Sequence, residues 1–433
     1  MGKLSYVIKR ARKMDYRAML KTADMLHKKT GKSRIWLMAD MAKCAAKYNA
    51  GYVDYKIAEM YRLNDAQRAT QITRGISNNI VARMNDKKFW HFFDNKTEFN
   101  QLFHEQVKRE WLNFSTATEE QFAEFVQGRG DIICKPIDGS SGQGILKCTP
   151  EDYRDVHALY ARLKAAGIGI VEDKVIQHET IAALCPTSVN TIRVATLLGD
   201  KMEGIVYAYI RIGNGKVMDN VDCGGMAAPI NLDTGVISGV GANKAGEAFE
   251  FHPMTGKRIP GTQIPYWEEV KAMCLKAMHV VPQVRFVAWD VAITPDGPVF
   301  IEGNSFPSHA IPQFAAHFPD FLHGVNDNEF GIRVFPHEIL QLLIQSVPDF
   351  SGGGGKVQVR SIVHTIHHKH PILDALEVIL QRKVEDGSLM DFAPPQVLPG
   401  ADVVGNLRNQ ERLADLGRAR EEAVSYTHLR AHE

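Results

Sequence analysis

With 433 residues, 45% hydrophobic and 23% charged, the chain can bury two or more cores and lacks the polar, highly charged composition of a disordered one. No apolar run approaches the roughly 20 residues of a membrane helix, and the opening MGKLSYVIKRARKMDY has no apolar leader segment, so a cytoplasmic location is expected. The six cysteines (Cys44, Cys134, Cys148, Cys185, Cys223, Cys274) form no CxxC pair, which excludes a zinc ribbon or disulfide framework and makes them buried small hydrophobes in a reducing compartment. A net charge of +1 hides one asymmetry: residues 1–50 carry thirteen Lys/Arg against Asp15, Asp24 and Asp40. Without interleaved aromatics this is not a nucleic-acid surface; it reads as a solvated basic helix face or, less economically, as peripheral membrane contact.

In chain order, residues 1–85 are helical, with apolar positions at three- and four-residue steps: Ala18, Met19, Met25, Leu26, then Ile35, Leu37, Met38, Met41. Helical signals continue to Phe125, interrupted by a polar stretch in which Ser115 or Thr118 is placed to cap the next helix. Between Ile132 and Ile301 the texture becomes short β-type runs separated by Gly, Asn and Asp turns, which gives an α+β fold. The expected division is a core domain over 86–350, with a glycine-rich-loop lobe at about 125–180 and a metal-binding lobe at about 181–315. An SGGGG hinge then leads to a C-terminal appendage over 356–424, and 425–433 reads as a non-native tail.

Three segments carry chemistry. The first, Lys135-Pro-Ile-Asp-Gly-Ser-Ser-Gly-Gln-Gly-Ile145, is a strand ending in lysine before a glycine-rich turn; Gly139, Gly142 and Gly144 with Ser140 and Ser141 let backbone N–H groups approach phosphates while Lys135 supplies charge. No GK[ST] closes it, so it is not a Walker A loop, and a purely structural hairpin would look similar. In the second, strands FVAWDVAIT and PVFIEGN joined by a Pro-Asp-Gly turn bring Asp290 beside Glu302 and Asn304, a hard-oxygen set suited to Mg²⁺ or Mn²⁺. A polar strand edge is the alternative, but unpaired carboxylates amid apolar strands are costly without a cation. In the third, a strand ending at Glu172 offers the backbone of Asp173, Lys174 and Val175 to an adenine edge and Glu179 to a ribose, while Arg193 supplies a fixed positive fork for phosphate; Glu179 is equally readable as a surface ion pair. The histidines 364, 367, 368 and 370 lack Cys or acidic co-ligands and read as a solvated segment.

Together these residues resemble the ATP-grasp superfamily, and most closely its sugar-transfer-associated branch, which is similar to the alpha-L-glutamate ligases. The pattern is held here by Asp86-Lys87, Lys135-Pro136 with the glycine loop, Glu172 with Glu179, Asn190-Thr-Ile-Arg193, and Asp290 with Glu302 and Asn304; Tyr209-Ile-Arg211 and Asn220 to Gly225 look like the acyl-phosphate segment of its amino-acid ligases. The resemblance covers about residues 85–315 and departs at Asn190, where an Asp is usual, and in lacking a Rossmann-like pre-domain. It implies two α+β lobes clasping ATP, with Lys87 and Lys135 on the phosphates, Mg²⁺ or Mn²⁺ on Asp290, Glu302 and Asn304, Arg193 and Arg211 on the transferring group, and Asn220, Gly224 and Gly225 near the substrate. The implied activity is a carboxylate–amine or carboxylate–thiol ligase acting through an acyl-phosphate on small molecules, a sugar or a lipid-linked glycan, in polysaccharide or glycoconjugate synthesis. A sugar or polyol kinase on the same site, or a nucleotide-binding partner protein without turnover, are the competing expectations.

Overall fold

The computed structural model describes residues 15–137, 144–199, 203–215, 219, 221 and 224–314. The SGGGG hinge, the histidine-rich segment, the appendage and the tail lie outside them.

The first layer is helical. Tyr16–Thr30 begins at Asp15, whose side chain accepts from the Ala18 N–H, and ends at Gly31, whose φ of 71° is the left-handed cap that glycine takes without strain. It packs against Arg34–Tyr48 through Met19, Ala23, Leu26, Leu37, Met41 and Cys44. Two positions expected in this apolar stripe are not in it: Ile35 is 80% exposed and Met25 42%. Leu37, Met41, Cys44 and Tyr48, at three- and four-residue steps, occupy the buried stripe and turn Ile35 to solvent.

Four short strands follow, β1 (Trp111–Asn113), β2 (Ile132–Lys135), β3 (Leu146–Cys148) and β4 (Ile170–Asp173), forming an antiparallel sheet in the order β1-β4-β2-β3. Helices Glu119–Val126 and Val156–Ala165 close over it through Phe122, Val126, Leu159 and Leu163. Of the two capping candidates, Thr118 caps Glu119–Val126, in a reciprocal box with Gln121.

The second sheet holds β5 (Ile192–Leu198), β6 (Glu203–Ile212), β7 (Met226–Pro229), β8 (Gly241–Ala242), β9 (Ala248–Phe249), β10 (Phe286–Thr294) and β11 (Gly297–Asn304), in the order β11-β10-β5-β6-β7-β8-β9. Two-residue alternation gives it two faces with different partners. One packs Val194, Ile210, Val287, Trp289, Val291 and Phe300 against helix Trp267–Ala277 and Phe93, Phe99 and Phe103. The other packs Ala195, Tyr207, Tyr209, Ala227 and Ala288 against Ile72, Ile80, Val81 and Met84 of the N-terminal region and against Ile311 and Phe314. Buried amides fix that cover. Asn85 donates to the Phe286 and Ser305 carbonyls at 2.7 and 2.6 Å and accepts from the Phe286 N–H, while Gln313 exchanges two bonds with the Ile72 backbone.

Trp289 anchors the β10–β11 hairpin on the first face: its ring stacks on Phe300 at 4.8 Å, Phe103 meets it edge-on, and its indole N–H donates to Thr196 Oγ1 at 2.9 Å. Trp289→Ala is expected to lower unfolding free energy by about 3–5 kcal/mol in urea titration, because the cavity lies between rigid strands that cannot collapse into it.

Candidate active site

Adjacent residues of β10 point to opposite faces, so anchoring Trp289 in the core aims Asp290 at the covered face. Register then lines up Glu302 on β11, Asp290 on β10, Arg193 on β5 and Tyr209 on β6 as directly opposed neighbours. Asp290 is fully buried and its two oxygens accept from Arg193 Nε and Nη2, each at 2.7 Å; Arg211 Nη2 adds a third bond at 2.8 Å. Burial alone would raise this carboxyl's pKa, but the two guanidinium groups hold it well below the usual range. Glu302 has the converse fate, for burial and the Asp290 charge push it up to about 7. Asn304 Nδ2 lies 3.5 Å from Asp290, leaving its amide oxygen turned elsewhere.

Asp219 and Thr191 complete the network. The Thr191 hydroxyl and N–H both donate to Asp219, and Arg211 donates to the Thr191 oxygen at 2.9 and 2.7 Å. Asn190 stands apart from it and holds the neighbouring backbone. Its Nδ2 donates to the Ile181 and Cys185 carbonyls, each at 3.0 Å, while its Oδ1 accepts from Ser188 and the Gly213 N–H. An aspartate there would face two carbonyls with no proton to offer, which explains the departure from the usual residue.

On the smaller sheet, Glu172 forms a contact ion pair with Lys135 and accepts from Arg109 at 2.8 and 3.0 Å. Burial disfavours its charge, yet Arg109 and Lys135 hold it down at about 2. Arg109 also donates to the Phe300 and Ile301 carbonyls of β11, so one guanidinium ties the two sheets together. Sequence reasoning missed Arg109 and Asp219, which belong to no local pattern, and gave Thr191 no role although it lies within Asn190-Thr-Ile-Arg193.

The other expected residues are more dispersed. Exposed Lys87 lies 5.5 Å over the Trp90 ring, which packs edge-on against Phe306 just beyond Asn304. Lys174 is drawn to Asp131 at 3.1 Å, and the N–H groups of Asp173 and Lys174 donate to the Glu110 and Asp131 carbonyls. Of the three amides expected at an adenine edge, that of Val175 has no bond to another described residue. Glu179 heads the turn Glu179–Ala182, exposed and without an ion pair among the described residues. Gly144 adopts φ 72°, with Pro136 where a Cβ would fall, so a side chain there is excluded. Gly224 is exposed at φ 96° and Gly225 buried at the entry to β7. Gly139, Ser140, Ser141, Gly142 and Asn220 lie outside the described residues.

Whether this set suits a divalent cation turns on Glu302. A carboxyl held near neutrality beside a second, ionised one fits a site for a cation, and Glu302 with the Asn304 amide oxygen offers hard ligands. Asp290 differs from the expectation: its oxygens are committed to guanidinium groups, so it orients the site unless an arginine withdraws.

The sequence matches the model of the family described as sugar-transfer associated ATP-grasp over residues 76–318. Similar solved structures include a D-cycloserine synthetase (12% identity, TM-score 0.35, covering 55% of this chain and 71% of that one). The D-alanyl-alanine synthetase A of Vibrio cholerae (14%, 0.33, 59% and 65%) and a D-Ala:D-Ser ligase of Enterococcus faecalis (14%, 0.35, 59% and 62%) are others. The chain thus spans under two-thirds of both ligases. No curated protein matches it.

Two outcomes are expected. Asn190→Asp, although it restores the commoner residue, should cost about 1–3 kcal/mol in denaturant titration because two buried carbonyls lose their donors. Glu302, protonated in the folded chain up to about 7 and ordinarily only up to 4.5, releases its proton on unfolding between those values, so stability falls as pH rises through that window. Glu302→Gln should flatten this part of the Tm profile between about pH 5 and 7.5, and a slope unchanged from the native protein would show that Glu302 does not titrate there.

Proposed function

Because the chain belongs to the sugar-transfer associated ATP-grasp family, we propose that it is an ATP- and Mg²⁺- or Mn²⁺-dependent carboxylate–amine or carboxylate–thiol ligase acting through an acyl-phosphate. Its substrates in this reading are a small carboxylate and an amine or thiol, one of them a sugar or lipid-linked glycan, in cytoplasmic polysaccharide or glycoconjugate synthesis. What supports the reading is the cross-strand row in which Glu302, Asp290 and Arg193 oppose one another beneath an apolar cover, because chemistry that needs positioned charge and no protein nucleophile requires such a row.

In this reading Lys135 and Lys87 take the phosphates, the glycine-rich loop from Gly139 to Gly144 covers them, the Val175 N–H meets the adenine edge, and Glu179 meets the ribose. Glu302 and Asn304 would hold the divalent cation, which when bound neutralises phosphate charge. Arg193 and Arg211, already immobilised by Asp290, face the group being transferred and stabilise its charge without reorganising. A substrate carboxylate oxygen then attacks the γ-phosphorus of ATP as its bond to ADP breaks, and the amine or thiol adds to the carbonyl carbon of the acyl-phosphate, expelling phosphate and losing its proton to solvent or phosphate. Asn220, Gly224 and Gly225 flank that step.

The test is ADP release and hydroxamate formation with Mg-ATP, hydroxylamine and a panel of amino acids, amino sugars and uronic acids. Hydroxamate from one carboxylate is expected; ADP release from a sugar or polyol without hydroxamate would move the assignment to a kinase. Lys135→Ala and Glu302→Gln should each lower turnover at least about 100-fold while the chain stays folded. Asp290→Asn is instead expected to unfold much of the chain, because removing the anion between two buried guanidinium groups costs on the order of 3–5 kcal/mol.

A further inference from the structure

The turn between the first two described helices combines exposed apolar and basic side chains. Residues 31–36 are exposed without interruption, and two large apolar side chains stand adjacent there, Ile35 at 80% and Trp36 at 42% exposure. Lys32 Nζ sits 4.5 Å above the Trp36 ring. Arg34 pairs with Asp24 and Lys29 with Glu59, whereas Lys28 and Lys32 have no acidic partner among the described residues. Single exposed apolar residues are ordinary. An adjacent Ile–Trp pair beside two uncompensated lysines, Lys28 and Lys32, at a tip whose helices bury their own stripe elsewhere, is a more specific arrangement.

We propose that this helical tip, Lys28 to Trp36, docks the protein on an anionic phospholipid bilayer, with Trp36 at headgroup level, Ile35 just beneath and Lys28 and Lys32 against lipid phosphates. The charge matches such a surface, where each lysine within a Debye length gains about 1 kcal/mol. The size matches too. A stable protein interface buries about 1,200–2,000 Å², more than two side chains on one turn present, whereas a bilayer interface needs only a tryptophan, an aliphatic wedge and lysines. Nucleic-acid binding uses several aromatic side chains as successive stacking platforms, whereas this tip presents a single ring, one face of which carries Lys32. This goes beyond the ligase reading and does not depend on it.

The test is sedimentation of the full chain with vesicles of equal parts phosphatidylcholine and phosphatidylglycerol, against phosphatidylcholine alone. Partitioning onto the anionic vesicles only, and weakening with added salt, is expected. Ile35→Ser with Trp36→Ser should lower the partition coefficient on the order of tenfold, and Lys28→Glu with Lys32→Glu by about tenfold or more. A Tm equal to that of the native protein in both variants verifies that they fold. Native protein that stays in the supernatant overturns the proposal. So does equal partitioning of native and Ile35→Ser/Trp36→Ser protein, which would place any membrane contact in another segment. Self-association lost with Trp36→Ser, in the absence of vesicle binding, would assign the tip to a second copy of the chain instead.

Discussion

A carboxylate with no solvent access stays ionised only if cations are held against it, and Asp290 is such a group. Everything around it follows from that demand. Arg193 and Arg211 supply the charge; Arg211, buried in turn, needs Thr191 and Asp219 for its remaining donors. With Asp290 kept negative, Glu302 one strand away becomes the group that yields, and its proton affinity rises. The arrangement thus separates fixed charge from adjustable charge. The arginines cannot lose their protons and Asp290 is held ionised, so the carboxyl whose charge remains adjustable is Glu302.

Arg109 does for the two sheets what Asp290 does for the strands. Its guanidinium shares Glu172 with Lys135 and reaches the β11 carbonyls, so a lysine expected to meet phosphate and a strand expected to carry a cation are joined through one side chain. A buried glutamate with two cationic partners can release one of them at tolerable cost, because the other keeps it charged. In the proposed reading Lys135 is therefore the exchangeable partner, turning from Glu172 to a phosphate, and Arg109 the permanent one.

The legibility of this site in the sequence tracks the range of the interactions that make it. The β10–β11 hairpin is readable because period-two alternation and a Pro-Asp-Gly turn are local, but the register shift after Val291↔Phe300 that sets Glu302, not Ile301, opposite Asp290 is not. Arg109 is not readable, since its carboxylate partner lies 63 residues on, nor is Asp219, 28 residues from Thr191. Asn190 is visible as a departure, but its cause, two carbonyls at the end of a helical turn, is a tertiary fact. Ile35 misleads for a related reason: several apolar stripes can be drawn on Arg34–Tyr48, and only packing against the neighbouring helix selects the one containing Leu37, Met41 and Cys44.

The cover over the site face alters its electrostatics as well as its packing. Ile80, Val81 and Met84 pack with Ala195, Ala227 and Ala288, small residues that let the helix Arg74–Met84 approach the face on which Arg193 and Asp290 are buried. Low local polarity strengthens each charge–charge term, favourable or not. The same burial that locks Arg193 onto Asp290 therefore raises Glu302, and a polar substitution at Ile80 or Met84 would weaken both effects together. This couples the N-terminal helices to the carboxyl pair: although more than 100 residues before Arg193 in sequence, Arg74–Met84 helps set the dielectric in which the pair and its arginines sit.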